Sequence, residues 1–245
     1  MKVSIITAAY NSAETITDTI LSVQQQTYSN MEHIIIDGAS TDKTLSIIQH
    51  WHKGQIISEK DNGIYHAMNK GIAIANGDII GILNSDDFYS SNNVIEQIVN
   101  LFQQTNCDAV YGDLIYVDAQ NTNRIKRKWI SGKYSRASFL YGWMPPHPTF
   151  FIKKKYYQQF GNFNLQLGSA ADYELMLRML LKHQLQAAYL PKVLVTMRIG
   201  GISNKTIRNR IFANKNDRLA WVINDLKPYF FTLYLKPLRK IIQFI

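Results

Sequence analysis

Asp78-Ile79-Ile80-Gly81-Ile82-Leu83-Asn84-Ser85-Asp86-Asp87 is the stretch whose reading decides the fold. An apolar run without polar alternation reads as a strand buried on both faces. It stops abruptly in polar residues that end with two adjacent carboxylates. The same pattern recurs upstream. Val3-Ser4-Ile5-Ile6-Thr7 leads into Tyr10-Asn11, His33-Ile34-Ile35-Ile36 into Asp37-Gly38, and the shorter Gln55-Ile56-Ile57-Ser58 into Glu59 to Gly63. Between these runs apolar residues fall at helical spacing: Ile16, Ile20 and Val23, then Thr44 to Trp51, then Gly63 to Ala75. Asn11 or Ser12 is expected to cap the first of these helices, with Glu14 near its third position. Val94 to Gln104 predicts a further helix. Continuous apolar strands joined by helices imply the α/β class, a Rossmann-like, mostly parallel central sheet flanked by helices. Ligands in such sheets bind beyond the carboxyl ends of the strands, where the polar clusters fall.

The second half is less regular. Ala109 to Asp118 predicts a strand, and the alternating Arg124 to Trp129 is expected to pair with it. Pro148 to Lys153 predicts another strand and Asp172 to His183 a helix. No repeat, low-complexity tract or Gly/Ser-rich linker divides the chain.

Composition narrows the classes. With 245 residues, 46% apolar and 18% charged, the chain suits one large α/β domain with or without a small appendage, and disorder is excluded. The single cysteine, Cys107, excludes an internal disulfide and a cysteine zinc site, and reads as a small apolar filler. The apolar run Val3 to Ala9 is too short for a signal peptide and is broken by Tyr10-Asn11-Ser12. No run approaches the about 18 residues of a membrane span, so a cytoplasmic location is expected. Charge is strongly segregated. Residues 1–123 hold 5 Lys/Arg against 14 Asp/Glu, whereas residues 124–245 hold 22 against 4. The acidic half suits a cation. The basic half suits phosphates, anionic lipid or nucleic acid.

No G-x-G-x-x-G follows the first strand and no P-loop signature occurs, so a phosphate-binding site here needs another device. Asp86-Asp87 supplies one. Adjacent carboxylates at a strand end repel each other, and oxygen ligands favour Mg²⁺ or Mn²⁺, which bridges phosphates and stabilises a departing diphosphate. Asp37 offers its carboxylate to a base N–H, and Asp42 or Ser40 caps the next helix. Asp172 reads equally as a helix N-cap or as a general base. His147, in Pro145-Pro146-His147-Pro148, reads first as a structural residue of a turn and second as a site residue. Arg198 grips a phosphate or is an ordinary surface arginine.

Taken in order, these motifs resemble the family 2 inverting glycosyltransferases of the GT-A fold. The resemblance covers roughly residues 1–205. It rests on the first strand with Tyr10-Asn11, Asp37-Gly38 with Ser40 and Asp42, Asp61-x-Gly63, and Ala67-Met68-Asn69-Lys70-Gly71. It continues through Gly77-Asp78, Leu83 to Asp87, His147-Pro148, Ala170-Ala171-Asp172-Tyr173 and Gly200-Gly201-Ile202-Ser203. The nearest look is to bacterial enzymes of O-antigen, capsule or exopolysaccharide synthesis. The resemblance implies transfer of a sugar from a nucleoside-diphosphate sugar, UDP-linked by expectation, to a saccharide or lipid-linked saccharide acceptor. It implies Asp172 as catalytic base. Thr7, Ala9, Tyr10, Asn11, Asp37 and Ser40 would line the nucleoside pocket. Asp61, Asn69, Asn84 and Ser85 would lie near ribose and diphosphate. Asp86 would be the metal ligand, with Asp87 as second or alternative ligand. His147 and Arg198 would contact phosphate or acceptor. Two positions depart from the family pattern: Asn84 stands where many members have the first aspartate of D-x-D, and Ala171 where many have glutamate. The implied organisation is a GT-A domain over 1–205, with a nucleotide-binding half (1–105) and an acceptor-binding half (106–205), and a basic amphipathic helical tail over 206–245. In that tail Phe231, Leu235, Leu238, Ile242 and Ile245 recur every three or four residues. They face either an anionic membrane surface or the domain itself.

Two other readings compete. A sugar nucleotidyltransferase would want a Gly-rich basic phosphate loop where Ala8-Ala9-Tyr10-Asn11 stands. A nucleic-acid binder would use Arg124 to Lys128 and Lys153 to Lys155 but leaves the ordered carboxylates unexplained. Nucleic acid is therefore not an expected partner.

Overall fold

The computed structural model describes residues 1–200, 207–239 and 243. The predicted strands appear where the apolar runs place them: β1 (Val3–Ala9), β2 (Met31–Asp37), β3 (Gln55–Ser58) and β4 (Ile79–Ile82). They are followed by β5 (Phe88–Tyr89), β6 (Ala109–Val117), β7 (Ile125–Trp129), β8 (Phe151–Lys153) and β9 (Ala187–Arg198). The intervening helices are α1 (Ile16–Gln24), α2 (Thr44–Trp51), α3 (Ile64–Ile74), α4 (Val94–Thr105), α5 (Lys154–Phe160) and α6 (Ala171–Met176). The C-terminal region is helical, with α7 (Ile207–Ile223) and α8 (Thr232–Leu238).

Among the described residues the strands form one sheet in the order β3-β2-β1-β4-β8-β6-β9-β5, with β7 paired to the later half of β6, beyond β8. β1 to β4 are mutually parallel. β8 runs against both β4 and β6, and β9 is parallel to β6. Hence β1, β2, β3, β4, β6 and β9 all point one way, and their carboxyl ends share one edge of the sheet. The antiparallel β8 brings its amino end, and the residues before it, to that same edge. Successive residues serve opposite faces, as a pleated strand requires. Ile6, Ile34 and Ile36 pack with Met68 and Ile72 of α3, whereas Ile5 and Ile79 pack with Ile95, Ile98 and Phe102 of α4. Being covered on both faces is why these strands carry no polar alternation.

Three local expectations are corrected. Neither Asn11 nor Ser12 caps α1, which begins at Ile16 with no side-chain cap. The 148–153 strand shrinks to Phe151–Lys153, because Pro145, Pro146 and Pro148 cannot donate to a ladder and His147–Thr149 forms a 3₁₀ turn instead. The 172–183 helix starts at Ala171 and widens into a π-helix over Leu177–Lys182. The wide turn contains Arg178, whose guanidinium donates to the carbonyls of Phe160, Gly161 and Asn162 while pairing with Glu174 at 2.8 Å.

The C-terminal helices pack on the sheet domain. Trp221 and Leu233 are buried, Trp221 Nε1 donates to Tyr173 Oη at 2.9 Å, and Thr232 Oγ1 donates to the Leu140 carbonyl at 2.6 Å. Lys236 pairs with Asp217 at 2.7 Å and sits 3.6 Å from the Tyr173 ring centroid. The segment read as the end of an amphipathic tail is therefore docked along its inner side. Ile242, Ile245 and the proposed 205/206 boundary lie outside the described residues. No helix among the described residues is long and apolar enough to cross a membrane.

Candidate active site

Four loops leave the shared strand edge, and hydrogen bonds between side chains and main chain stitch them together. After β1 the chain turns at Asn11, which has φ +48°, a left-handed conformation that asparagine tolerates. Asn11 Oδ1 accepts from Thr41 N at 2.9 Å, and Asn11 N donates to Ser40 Oγ at 2.9 Å. Ser12 N donates to Thr44 Oγ1 at 2.7 Å, and the Ser12 and Ser85 hydroxyls pair at 2.8 Å. Thr15 Oγ1 donates to the Ser85 carbonyl at 2.9 Å and Thr19 Oγ1 to the Asp87 carbonyl at 2.7 Å. The loops after β1, β2 and β4 thus form one wall.

Tyr10 projects from that wall, 61% exposed. A Cβ added at Gly38 would lie 3.4 Å from its ring and 3.7 Å from Asp61 Oδ2. Tyr10, Gly38 and Asp61 therefore meet, although 51 residues separate the first from the last. Asp61 Oδ1 contacts His66 Nδ1 at 2.7 Å and Lys70 Nζ at 2.8 Å, and Lys70 also pairs with Glu59 at 2.5 Å. These hydrogen bonds raise the Lys70 ammonium above its ordinary range. Asp61 Oδ2 is buried and has no protein partner. An unpaired buried carboxylate oxygen is costly, and it suits a ligand donor such as a ribose hydroxyl.

Beyond β4 the Asn84-Ser85-Asp86-Asp87 turn is held from three sides. Asn84 Nδ2 donates to Asp87 Oδ2 at 2.8 Å, Thr19 holds the Asp87 carbonyl, and Arg198 Nη1 donates to the Asp86 carbonyl at 2.7 Å. Asp87 is fully buried with Oδ1 unpartnered, whereas Asp86 is half-buried. Burial pushes the Asp86 carboxyl up. It pushes Asp87 well above the usual range, and the charge of Asp86 adds to the rise. Crowded, partly desolvated carboxylate oxygens fit a hard divalent cation. Among the described residues no third acidic, His or Cys group joins them, so an ion here would complete its shell from substrate oxygens and water.

The candidate base, Asp172, comes from the second half of the chain. It lies in the first turn of α6, not at the N-cap, a position held by Ala170. Its Oδ1 accepts the Tyr173 amide at 2.7 Å, and the side chain is half-buried. The negative charge of Asp172 acts on three surrounding groups. It adds to the upward shift that burial gives Tyr65, opposes the downward shift that burial gives His147, and, with the charge of Asp87, adds to the upward shift that burial gives Tyr116. The Tyr116 hydroxyl, near the end of β6, thus lies within electrostatic reach of both Asp87 and Asp172.

Several predicted ligands face elsewhere. Thr7 is fully buried and its hydroxyl pairs with His33 Nε2 at 3.0 Å, so it does not line a pocket. Ala9 is buried and contributes its carbonyl to Gly38 N at 2.8 Å. Asp37 is fully buried, accepting from Ser40 Oγ at 2.5 Å, Ser40 N at 3.1 Å and Ser58 Oγ at 2.7 Å, so it shapes the loop instead of meeting a base. Ser40 and Ser85 spend their hydroxyls within the stitching. Asn69 makes two amide hydrogen bonds to the Phe163 main chain, Oδ1 from N at 3.0 Å and Nδ2 to O at 2.9 Å. Its first role in the fold is to hold the 163 segment against α3. Arg198 is buried, ion-paired with Asp18 and placed over the Phe88 ring, so it is not a surface arginine. His147 is buried against Phe163, with ring centroids 5.4 Å apart. Neither Ser40 nor Asp42 is the cap expected for α2, whose N-cap is Lys43 with no side-chain cap; Asp42, one residue earlier, accepts Thr44 N at 2.9 Å. Residues 201–203 of the late motif lie outside the described residues.

The sequence pattern passes over Tyr65, His66, Lys70 and Tyr116. Lys70 had a signal, since it lies inside Ala67 to Gly71 four residues after His66, on one helix face. Tyrosines within an amphipathic helix or a buried strand read only as core.

Comparison with known proteins agrees with this geometry. The sequence profile of glycosyl transferase family 2 matches residues 4–183. An uncharacterized glycosyltransferase of Mycobacterium tuberculosis is 31% identical over 186 residues, covering 72% of this chain and 68% of the relative. The Escherichia coli UDP-Glc:alpha-D-GlcNAc-diphosphoundecaprenol beta-1,3-glucosyltransferase WfaP is 43% identical over 99 residues, 39% of each chain. Among solved structures, Staphylococcus aureus TarS 1–349 in complex with UDP-GlcNAc superposes with a TM-score of 0.73 at 18% identity, covering 96% of this chain and 69% of that one. The mannosyltransferase PcManGT of Pyrobaculum calidifontis, in complex with GDP-Man and Mn²⁺, gives 0.66 at 19% identity, covering 96% and 68%. At these identities the structural likeness is one of fold.

Proposed function

Because the chain belongs to glycosyl transferase family 2, we propose that it transfers a sugar from a UDP-sugar to a saccharide acceptor, lipid-linked in the cell, with inversion at the anomeric carbon. The setting would be bacterial surface polysaccharide synthesis on the cytoplasmic side of the membrane. One observation carries the reading: Asp61 and Asp86–Asp87 follow parallel strands at the same carboxyl edge of the sheet, and the charges of Asp87 and the distant Asp172 both act on the Tyr116 hydroxyl. Solved relatives of fold holding UDP-GlcNAc, or GDP-Man with Mn²⁺, and an E. coli relative named for a diphosphoundecaprenol-linked acceptor support it.

In this reading the nucleoside lies against Tyr10 over Gly38, with Asp61 Oδ2 accepting from the ribose. Asp37 acts at one remove, by fixing Gly38 to Ser40. Asp86, with Asp87 beside it, would hold Mn²⁺ or Mg²⁺, whose charge would stabilise the departing diphosphate. Asp172 accepts the proton of the acceptor hydroxyl as that oxygen bonds to the anomeric carbon. The bond from that carbon to the diphosphate breaks on the opposite face, giving an inverted glycoside and free UDP. Tyr65, His147 and Phe163 exclude water behind Asp172, and the hydrogen bond from the Tyr173 amide fixes its carboxylate.

The test is product analysis with a panel of UDP-sugars and a lipid-diphosphate saccharide. Free UDP and an elongated acceptor are expected, whereas release of pyrophosphate would indicate nucleotidyl transfer instead. Asp172→Asn should keep UDP binding and lower turnover by about 10²–10⁴-fold. Turnover within threefold of wild type would remove Asp172 from the reaction.

A further inference from the structure

The face formed by α8, the turn before it and the 136–141 turn beneath is unlike the rest of the surface. Its outward side chains are apolar and large: Phe230 is 87% exposed, Tyr234 62%, Ile130 61% and Leu238 53%, with Tyr141 and Tyr229 about half exposed. Tyr141, Tyr229 and Phe230 are joined through Phe231 into one aromatic cluster. Tyr141 lies 6.3 Å from Tyr229 and 5.9 Å from Phe231, ring centre to ring centre, and Phe230 stacks edge-on to Phe231 at 5.2 Å. Tyr234 and Leu238, four residues apart, share the outer side of α8, while Thr232 and Leu233 turn inward. The backbones are locked together here, since a Cβ on Gly142 would strike Lys236 N at 2.5 Å. The patch is therefore a fixed projection of the fold.

Its frame is basic. Lys128, Lys133, Arg136, Lys227 and Arg239 are all exposed on these segments. The sequence has no acidic residue between 119 and 171, and none after Asp225. A small cavity beside the patch, between β7, Gly142 to Met144 and the end of α8, is lined by Ile130 and Trp143 together with Lys128, Lys236 and Arg239. Asp217 is paired with Lys236 at 2.7 Å, and Asp225 is paired with Lys182 at 3.5 Å.

We propose that this face seats the protein on an anionic bilayer, with Phe230, Tyr234 and Leu238 entering the headgroup and acyl boundary and the surrounding lysines and arginines meeting lipid phosphates. Exposed Phe, Tyr and Leu side chains flanked by lysines and arginines fit that boundary: the rings enter it while the cations stay in the headgroup layer. A folded protein partner would need a matching hollow, and an anionic polymer would have no use for the projecting Phe230. The inference is independent of the reaction, since no residue of the crevice takes part.

Co-sedimentation of the full chain with vesicles tests it, comparing phosphatidylcholine mixed with phosphatidylglycerol against phosphatidylcholine alone. Binding is expected to the mixed vesicles and to weaken with added salt. Phe230→Ser with Tyr234→Ser, and separately Arg136→Glu with Lys227→Glu, should each lower partitioning by at least about tenfold. All four positions are exposed, so unfolding midpoints should stay at the wild-type value, and transfer to a water-soluble acceptor should be unchanged. Absence of binding to mixed vesicles would overturn the proposal. So would aromatic variants that bind like wild type, or binding to duplex RNA that equals vesicle binding and is lost with the same substitutions.

Discussion

Replacing Asn69 by alanine separates two roles that a sequence motif cannot. The Asn69 amide makes two hydrogen bonds, accepting from Phe163 N at 3.0 Å and donating to Phe163 O at 2.9 Å. Phe163 itself is 3% exposed, so water cannot fully replace either partner. Leaving a buried main-chain group unpaired costs about 1–3 kcal/mol, and the part-buried setting puts two such groups at about 2–3 kcal/mol together. For a chain of this size each kcal/mol moves the unfolding midpoint by about 2–4 °C, so Asn69→Ala should lower it by about 4–12 °C without any ligand present. Phe163 also packs on Tyr65 and His147, which line the wall behind Asp172. Turnover should therefore fall while UDP affinity holds within about twofold. A donor-binding role predicts the reverse: an unchanged midpoint for the free protein, and UDP affinity lower by about tenfold for one lost hydrogen bond. Differential scanning fluorimetry of the free protein, followed by a UDP titration, distinguishes the two. An unchanged midpoint with weakened UDP binding would refute the positioning role.

Two further outcomes follow from the geometry. Mn²⁺ should enlarge the thermal stabilisation that a UDP-sugar gives the wild type, chelation should cancel the enlargement, and Asp86→Ala should respond to neither; a variant that still gains from Mn²⁺ would place the cation elsewhere. His33 and His52 form a buried edge-to-face pair with ring centroids 4.7 Å apart, and burial lowers both below their ordinary value of 6.5. The unfolded chain therefore binds protons first as pH falls, so stability is fully present above about pH 6.5 and declines below it, by up to about 1.4 kcal/mol per pH unit for each group. Denaturant midpoints measured from pH 7.5 to 5 should show the decline, and His33→Gln with His52→Gln should flatten it. An equal slope in the double variant would assign the decline to other groups.

How much of this was legible in the sequence depends on what each residue type can reveal. Strands buried on both faces announce themselves, because Ile34, Ile35 and Ile36 must all be apolar when they serve cores on opposite faces. Loop position was legible for the same reason: where the apolar run stops, the sheet edge begins. Direction was not. Thr7, Asp37, Asn69 and Arg198 each have the chemistry of a ligand residue, and each is spent on a partner inside the protein. Those partners are Thr7 with His33, Asn69 with Phe163, and Arg198 with Asp18, pairs separated by 26, 94 and 180 residues. A donor count fixes how many bonds a side chain can make, but only the folded geometry fixes with what. Tyr65 and Tyr116 were illegible for a different reason. Their rings complete apolar surfaces, as any core tyrosine does, and only the hydroxyl at the crevice sets them apart.

The Asn84 to Asp87 turn gathers these lessons into one physical requirement. Stabilising charge on a departing group works best when the charges that do it are already in place and need not reorganise during the reaction. Two adjacent carboxylates would by themselves splay apart or protonate, and burial does push both upward. The fold opposes this at the level of the backbone, with Thr19 on the Asp87 carbonyl and Arg198 on the Asp86 carbonyl. Arg198 is anchored in turn by Asp18, one helix turn before Ser22, whose hydroxyl accepts from Tyr89 N of β5. None of these supports needs to touch a substrate. They explain why asparagine suffices at position 84: its amide donates to Asp87 Oδ2 at 2.8 Å, where an aspartate would add a third negative charge to a pair already crowded. Asn84 then serves as the turn's internal donor, and Asp86 remains the more exposed of the two carboxylates.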